Sequence, residues 1–418
     1  MDAKSLIYNH FFKKFENKKI GKVGCELEFP LVSLSGGEID KAFAQGIFAH
    51  FSKCGFKACD DEGYFFENDF GDVLSFDNSY NNFEFSLAYG DNLCDIKNRF
   101  DEYFAKVSEY FSKENYALIG RGTNPNKKNI SQNRVEFSTY NMVDEFLKTY
   151  GKDTKYPDFP AYLSSVQTHL DVDIQTLPKA YTYFAKLDFV RAILFSNSPD
   201  FGGEGYRCYR DFLWEQSAFS KCQNITGKVD GDFKTVDSLV QYFLKKGMFN
   251  RKRNGKYEIF APVNIKEYFE NEKYGAKDED IDCYLSFKNV EITARGTLEV
   301  RSDCTQPLDS LFAPCAFNLG IISNLDAAVA DVDGFFDENY IDLSNTELRN
   351  IVVSGKKLNK ICDEDILSDF VYDLVEIAAE SLEKRGFGEE KLIAPLYERA
   401  VTLKCPADLE KGVKNELF

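Results

Sequence analysis

Residues 24–30 read Gly-Cys-Glu-Leu-Glu-Phe-Pro and follow a short strand-like run, Ile20 to Val23. Cys25, Leu27 and Phe29 alternate with Glu26 and Glu28. Residues two apart on a strand project the same way, so this is a strand with one face in a core. Such a pattern commits the chain to a sheet whose other face carries two neighbouring carboxylates. Like charges held together need a counter-ion, unless the strand is a solvated outer one on which acids are ordinary decoration.

From Phe56 to Leu87 short alternating runs are separated by Gly, Asp and Asn, the pattern of antiparallel hairpins. Ala117–Gly120, Ser164–Val172 and Val290–Arg301 read as further strands. Between Asn92 and Glu114 the apolar residues Leu93, Ile96, Phe100, Tyr103, Phe104, Val107, Tyr110 and Phe111 recur every three or four positions, which predicts a long helix lying across the sheet. Residues 4–18, 38–53, 177–196 and 236–246 read as helices, and 251–256 as a hairpin. The chain is helical in pattern from about 307 to 418, including 363–385 with a basic last turn before Gly386. The fold class expected is α+β, an antiparallel sheet with helices on one face. A loop rich in Gly, Asn and Pro runs from Gly120 to Arg134. With the irregular 200–260 stretch, it is a candidate lid.

With 418 residues the length suits one elaborated domain or two to three smaller ones. A formal net charge of −17 excludes a general nucleic-acid binder, so an anionic substrate must be met by locally placed Arg, Lys or metal. There is no apolar run of membrane-spanning length, and the first residues do not open a signal peptide, so the expectation is a cytoplasmic protein with no membrane partner. The eleven cysteines form no CxxC pair and no zinc-like spacing with His10, His50 and His169.

Acidic and amide side chains gather on these strands: Glu26, Glu28, Asp77, Glu84, Gln167 with His169, and Glu299. On one face they repel unless hard cations lie between them, and oxygen-only ligation suits Mg²⁺ or Mn²⁺. On different faces they are unrelated. Glu299 and Arg301 share a face by the period of two, as does Arg295 if the strand is regular. An Arg beside a metal-binding Glu suits phosphoryl transfer, with a surface ion pair as the alternative. Two carboxylates alone would also suit a glycosidase, which needs no metal.

In order along the chain, GCELEF (24–29), NNFEFSLAYGDNL (81–93), ALIGRGTNP (117–125), SVQTHLD (165–171), FSNSPDFGGEG (195–205) with the following Arg210 and Trp214, TLEVRSD (297–303) and LEKRGF (382–387) resemble the glutamate–cysteine ligases of the plant and proteobacterial type. These belong to the carboxylate-amine ligases, related in fold to glutamine synthetase. The resemblance implies a curved antiparallel sheet, and residues 1–418 as a single ligase catalytic domain. It also implies formation of γ-glutamylcysteine from ATP, L-glutamate and L-cysteine through an acyl phosphate, with two or three Mg²⁺, or Mn²⁺ in their place. Carried over, Glu28, Asp77 and Glu84 hold a metal near glutamate, and Glu26, Gln167 and Glu299 hold the metal on the ATP phosphates. Arg301 stabilises the transferring phosphoryl group, and Arg295 is a further phosphate contact. Arg210 grips a substrate carboxylate, Arg134 is a second candidate for that role, and His169 stands in the substrate site where Asn is more usual. Other outcomes are a relative that joins glutamate, or another amino acid, to a different amine, and a silent relative that binds without turnover. The expected assembly is a monomer or homodimer.

Overall fold

The alternation at Glu26 and Glu28 does form a strand, and it runs on to Ser33. The computed structural model describes residues 2–126, 133–151, 158–200 and 205–409. The middle of the 120–134 loop, part of the FSNSPDFGGEG motif and the last nine residues lie outside them. In chain order the strands are β1 (Val23–Ser33), β2 (Lys57–Ala58), β3 (Phe66–Glu67), β4 (Val73–Phe76), β5 (Asn82–Gly90), β6 (Tyr116–Leu118), β7 (Ser165–Leu170), β8 (Thr226–Gly227), β9 (Gly247–Arg253), β10 (Lys256–Asn264), β11 (Phe287–Lys288), β12 (Val290–Ile292) and β13 (Leu298–Cys304). Nine of them make one sheet in the order β12-β13-β7-β1-β5-β4-β3-β2, with β6 pairing the far end of β1. Every pairing in it is antiparallel.

One face of this sheet is closed by aromatic packing. Phe29 and Phe85 meet Phe100 of the helix Leu93–Ser112 at ring-centroid distances of 5.9 and 5.1 Å, and Phe100 meets Phe312 at 5.4 Å. The helix buries Leu93, Ile96, Phe100, Tyr103, Val107 and Phe111, the stripe its periodicity predicts. It is locked in register by Asp72, which is fully buried and accepts from Arg99 Nε at 2.8 Å and from the Tyr103 hydroxyl at 2.9 Å. Farther along, the helix Ala313–Ser323 lies on β7 and against the long helix Glu364–Arg385, which ends at Gly386 as its sequence predicts. Among the described residues no single helix is long and apolar enough to cross a membrane.

Three expectations need correction. Residues 290–301 are not one strand: β12 and β13 form a hairpin, because Gly296 at φ 84° lets the chain reverse between Thr293 and Thr297. Arg295 therefore sits in the turn and not on the strand. The helix expected over 177–196 breaks at Leu187 into Leu177–Lys186 and Asp188–Phe195. Near the N-terminus a short α-helix, Ala3–Ile7, passes into a π-helical turn, Tyr8–Phe12, and a 3₁₀ turn, Lys13–Phe15.

The opposite face of the sheet is not open to solvent along its length. The helices Ser138–Tyr150 and Tyr209–Glu215 and strand β11 stand over it, supported by a second apolar cluster that includes Phe146, Phe159, Trp214, Phe219, Phe249 and Phe287. The irregular middle of the chain thus supplies the walls of a cavity.

Candidate active site

Strand register decides which acids meet. Glu26 lies opposite Gln167 on β7 and Ser86 on β5, Glu28 lies opposite Glu84, and Glu299 on β13 lies opposite His169. In a ladder, opposed residues share a face. Glu26, Glu28, Glu84, Gln167, His169 and Glu299 therefore form one polar row, with Asp77 at its margin in the turn after β4.

At one end of the row charge is balanced. His169 Nε2 lies 3.0 Å from Glu26 Oε1 and 3.4 Å from Glu299 Oε1, while Thr297 Oγ1 holds its Nδ1 at 3.1 Å. Arg295 Nη2 donates to Glu26 at 3.0 Å, and Arg301 Nη1 to Glu299 at 2.6 Å. Burial works against the charge on Glu26, yet His169, Arg295 and Arg301 outweigh it and hold this carboxyl well below the usual range. Ligand atoms of Glu26, His169 and Glu299 all lie within 4.8 Å of one another.

The other end is short of positive charge. Glu28 accepts from Gln167 Nε2 at 2.7 Å and the Ser165 amide at 2.8 Å, and Glu84 from the hydroxyls of Ser86 and Ser75 at 2.6 and 3.3 Å. Asp77 accepts from Asn78 at 2.9 Å and from the Tyr140 hydroxyl. Burial, and then the charge of Asp77, pushes Glu28 up to about 7. Glu84 is pushed well above its ordinary value by burial and by Glu26, Asp77 and Glu28, and burial also raises Asp77. Three clustered carboxyls that resist joint ionisation, beside a Gln167 Oε1 that is buried with no partner among the described residues, are a donor set of oxygens suited to a hard divalent cation.

A pH dependence follows, with its sign set by Glu28. Its folded value of about 7 lies above the ordinary 4.5, so the unfolded chain ionises first, and this group costs stability as pH rises through that window. A bound cation favours the ionised form and removes that cost. The rise in melting temperature on adding Mg²⁺ is therefore expected to be larger at about pH 8 than at about pH 5.5. Differential scanning fluorimetry with Mg²⁺ or EDTA measures this, and an equal or reversed difference would show that Glu28 holds no cation.

Two cavities open from the row. The first, of about 180 Å³, has a polar end with Glu28, Asp77, Gln167, Arg210 and Arg301, and an apolar end with Trp214, Phe219 and Phe287. Arg210 is buried. It donates to the Ser302 carbonyl at 3.4 Å, and its Nε has no hydrogen-bond partner among the described residues. Arg134 is not among the residues lining this cavity; its Nη2 is bound by Asp144, while its Nε and Nη1 are buried with no hydrogen-bond partner among the described residues. The second cavity, of about 310 Å³, is bounded by Glu26, His169 and Arg295.

Residues that sequence reasoning missed also line the first cavity. Tyr140, on a helix without motif, caps Asp77. Lys288 donates to the carbonyls of Thr226 and Lys228, and burial, then Lys246, pushes it down to about 8. Behind Arg210, Arg349 is 1% exposed and donates to Asp211 Oδ2 at 2.7 Å, Asp188 Oδ1 at 3.0 Å and the Ser302 carbonyl at 3.1 Å. Nothing local in the sequence marks Arg349, because its partners come from three separate elements.

The arrangement agrees with a comparison across protein families. The model described as Glutamate-cysteine ligase family 2 (GCS2) matches residues 22–408. The chain belongs to this family. Similar curated members of the glutamate–cysteine ligase family are the chloroplastic glutamate–cysteine ligases of Brassica juncea, 21% identical over 78% of this chain and 64% of that protein, and of Solanum lycopersicum, 24% identical over 58% and 47%. The chain spans less than two thirds of the length of these relatives. Among solved structures it is similar to a bifunctional glutathione synthetase from Pasteurella multocida (TM-score 0.47, 12% identity, 98% of this chain and 50% of that one). It is also similar to a glutamate–cysteine ligase from Francisella tularensis (TM-score 0.46, 10% identity, 95% and 86%).

Proposed function

We propose that the protein is an ATP-dependent ligase joining the γ-carboxylate of L-glutamate to the amino group of L-cysteine. The observation that carries this reading is the meeting of two differently lined cavities at one row of acids flanked by Arg301 and Arg295. In the first half-reaction a glutamate γ-carboxylate oxygen bonds to the γ-phosphorus of ATP, and the bond to ADP breaks. In the second, the amine nitrogen bonds to the carbonyl carbon, phosphate leaves with its electron pair, and the nitrogen loses a proton.

Arg210 is the residue assigned to a substrate carboxylate, because its fork is buried at the polar end of the first cavity and a guanidinium can bind a carboxylate through two hydrogen bonds. Arg301 neutralises charge on the phosphoryl group in transit, with Glu299 fixing its direction. Arg295 is a further phosphate contact, and Arg134 is a second candidate for a substrate carboxylate. His169 orients Glu26 and Glu299. Glu28, Asp77 and Glu84 would hold a divalent cation on the glutamate side, and Glu26, Gln167 and Glu299 one on the nucleotide side. Such ions, Mg²⁺ or Mn²⁺, supply charge neutralisation of the phosphate oxygens. Walls built of Tyr140, Trp214 and Phe287 keep water from an acyl phosphate.

One large apolar cluster reaches from Ala3 to Leu403, which supports reading 1–418 as a single catalytic domain. All eleven cysteines are free thiols, in keeping with a reducing compartment such as the cytoplasm; the assembly proposed is a monomer or homodimer.

The test is coupled ADP release with MgATP, L-glutamate and a panel of amines, with mass spectrometry of the product. A γ-glutamylcysteine mass that appears only with cysteine is the expected result. A different adduct moves the function to that amine, and background ADP release with every pair overturns the ligase reading. Within it, Arg210→Lys is expected to raise the KM for glutamate by about 10-fold or more and leave that for ATP unchanged, since Lys cannot form the fork. Equal KM values in the two proteins would take Arg210 out of the substrate site.

A further inference from the structure

Strand β13 breaks its own alternation beside Arg301. Val300 lies opposite Thr168 on β7, but Asp303 lies opposite Val166, three steps along one strand for two along the other. Arg301 and Ser302 therefore stand together against the single Gln167, which makes a β-bulge. On a regular strand Ser302 would face the apolar core with Val300, and Asp303 would add another carboxylate to the acid row. The bulge instead turns Asp303 to the core side, where it accepts from Asn318 Nδ2 of the helix Ala313–Ser323 at 3.0 Å. Arg301 stays on the row, and Ser302 beside it lines the first cavity.

A bulge interrupts the ladder that would otherwise fix the backbone, and here one carboxylate holds both of its sides. Asp188 is 2% exposed and opens the helix Asp188–Phe195, directly after the break at Leu187. Its Oδ1 accepts from Ser302 Oγ at 2.8 Å, and its Oδ2 from Asn289 Nδ2 at 2.7 Å. Asn289 lines the first cavity, and its carbonyl accepts from the Arg301 amide at 2.9 Å. Asp188 thus grips the residue after Arg301 and the residue paired across from it. Behind it, Arg191 Nη2 and Arg349 Nη1 donate to Oδ1 at 2.8 and 3.0 Å, so the carboxylate is itself held between two guanidinium groups. Hydrogen bonds to a carboxylate are roughly twice as strong as those between neutral groups.

Glu299 holds the guanidinium end of Arg301 at 2.6 Å, whereas the point from which that side chain leaves the backbone is set by the bulge. A misplacement of about 1 Å at a reacting group costs on the order of 10²-fold in rate. We propose that Asp188 is a positioning residue: through Asn289 and Ser302 it fixes the bulge that aims Arg301 at the transferring phosphoryl group. Asp188 lines neither cavity, so it acts only through these two neighbours. This rests on the ligase reading and adds to it the buried acid, behind the strand, that keeps Arg301 in line.

The experiment is steady-state ADP release by the full chain with MgATP, L-glutamate and the amine that supports turnover, with a thermal melt of every variant. Removing Asp188 outright would strip Arg191 and Arg349 of a buried partner, so its two arms are cut one at a time. Asn289→Ala and Ser302→Ala are each expected to lower kcat by about 10-fold or more, with the KM for ATP within about twofold of wild type and the melting temperature within a few degrees. Ser302→Thr, which keeps the hydroxyl, is expected to recover most of the kcat that Ser302→Ala loses. Both arms act on one bulge, so the double Ala variant is expected to lose less than the product of the single losses. Wild-type kcat in either Ala variant, a Ser302→Thr as slow as Ser302→Ala, or a double variant that loses the full product overturns the role of Asp188 and leaves the ligase reading standing. A raised KM with unchanged kcat would make these residues substrate contacts and overturns it equally. A wild-type protein that releases no ADP with any amine sinks both.

Discussion

Glu299→Gln lowers kcat by at least about 10³-fold and shifts the melting temperature by only a few degrees: that is the expected result for the acid at the β13 end of the row. Glu299 is 3% exposed, and its Oε1 lies 2.6 Å from Arg301 Nη1 and 3.4 Å from His169 Nε2. Glutamine keeps the shape and one acceptor, so the packing of β13 on β7 survives. What it loses is the charge that aims Arg301 and the oxygen charge that the cation proposed for the nucleotide side would require. Two measurements separate these effects, steady-state kinetics for kcat and a thermal melt for the fold. A variant with wild-type kcat would show that Glu299 is only an ion-pair partner on a strand.

Arg349→Ala is expected to have the largest effect on stability. Its guanidinium lies between Asp188 and Asp211, which are 2% and 6% exposed, and it holds the Ser302 carbonyl beside Arg301. Asp211 stays ionised well below the usual carboxylate range: burial opposes this, but Arg349 and then Lys228 outweigh it. Removing the guanidinium leaves two buried carboxylates short of a partner, a loss of about 3–5 kcal/mol. Arg349→Lys keeps the charge without the fork and is expected to recover part of that stability. Urea denaturation gives the values, and a loss below about 1 kcal/mol in the Ala variant would mean that Arg191, Lys228 and water neutralise these acids unaided. The helix Asn345–Val353 would in this way tie the C-terminal helical portion to the element that bears Arg210.

Much of the site was legible because it is written in short periods. The i, i+2 spacing of Glu26 and Glu28, the single acid Glu84 between Phe83 and Phe85, and the apolar stripe of the helix Leu93–Ser112 are each set by local geometry that any strand or helix must obey. The polar row follows from such spacings once the strands pair. Arg295 is an instructive exception: parity placed it on the strand with Glu299, whereas a turn at Gly296 carries it, and it reaches Glu26 by the length of its side chain. Arg134, the second candidate for a substrate carboxylate, has its Nη2 held by Asp144 of the helix that follows it, a contact between residues ten apart that no period announces.

Residue order alone determined the antiparallel sheet, which of its faces is apolar, the long helices on that face, and the acids, amide and arginines available for chemistry. Only the tertiary structure decided the rest: the register that sets Glu28 against Glu84, the cover of Tyr140, Trp214 and Phe287 over the polar face, and the buried bridge at Arg349. Periodicity reports which way a side chain leaves its own backbone. Where distant segments meet, and which charges must then share one volume of low dielectric, depends on loop closure and packing across the whole chain, and no window of neighbouring residues contains that information.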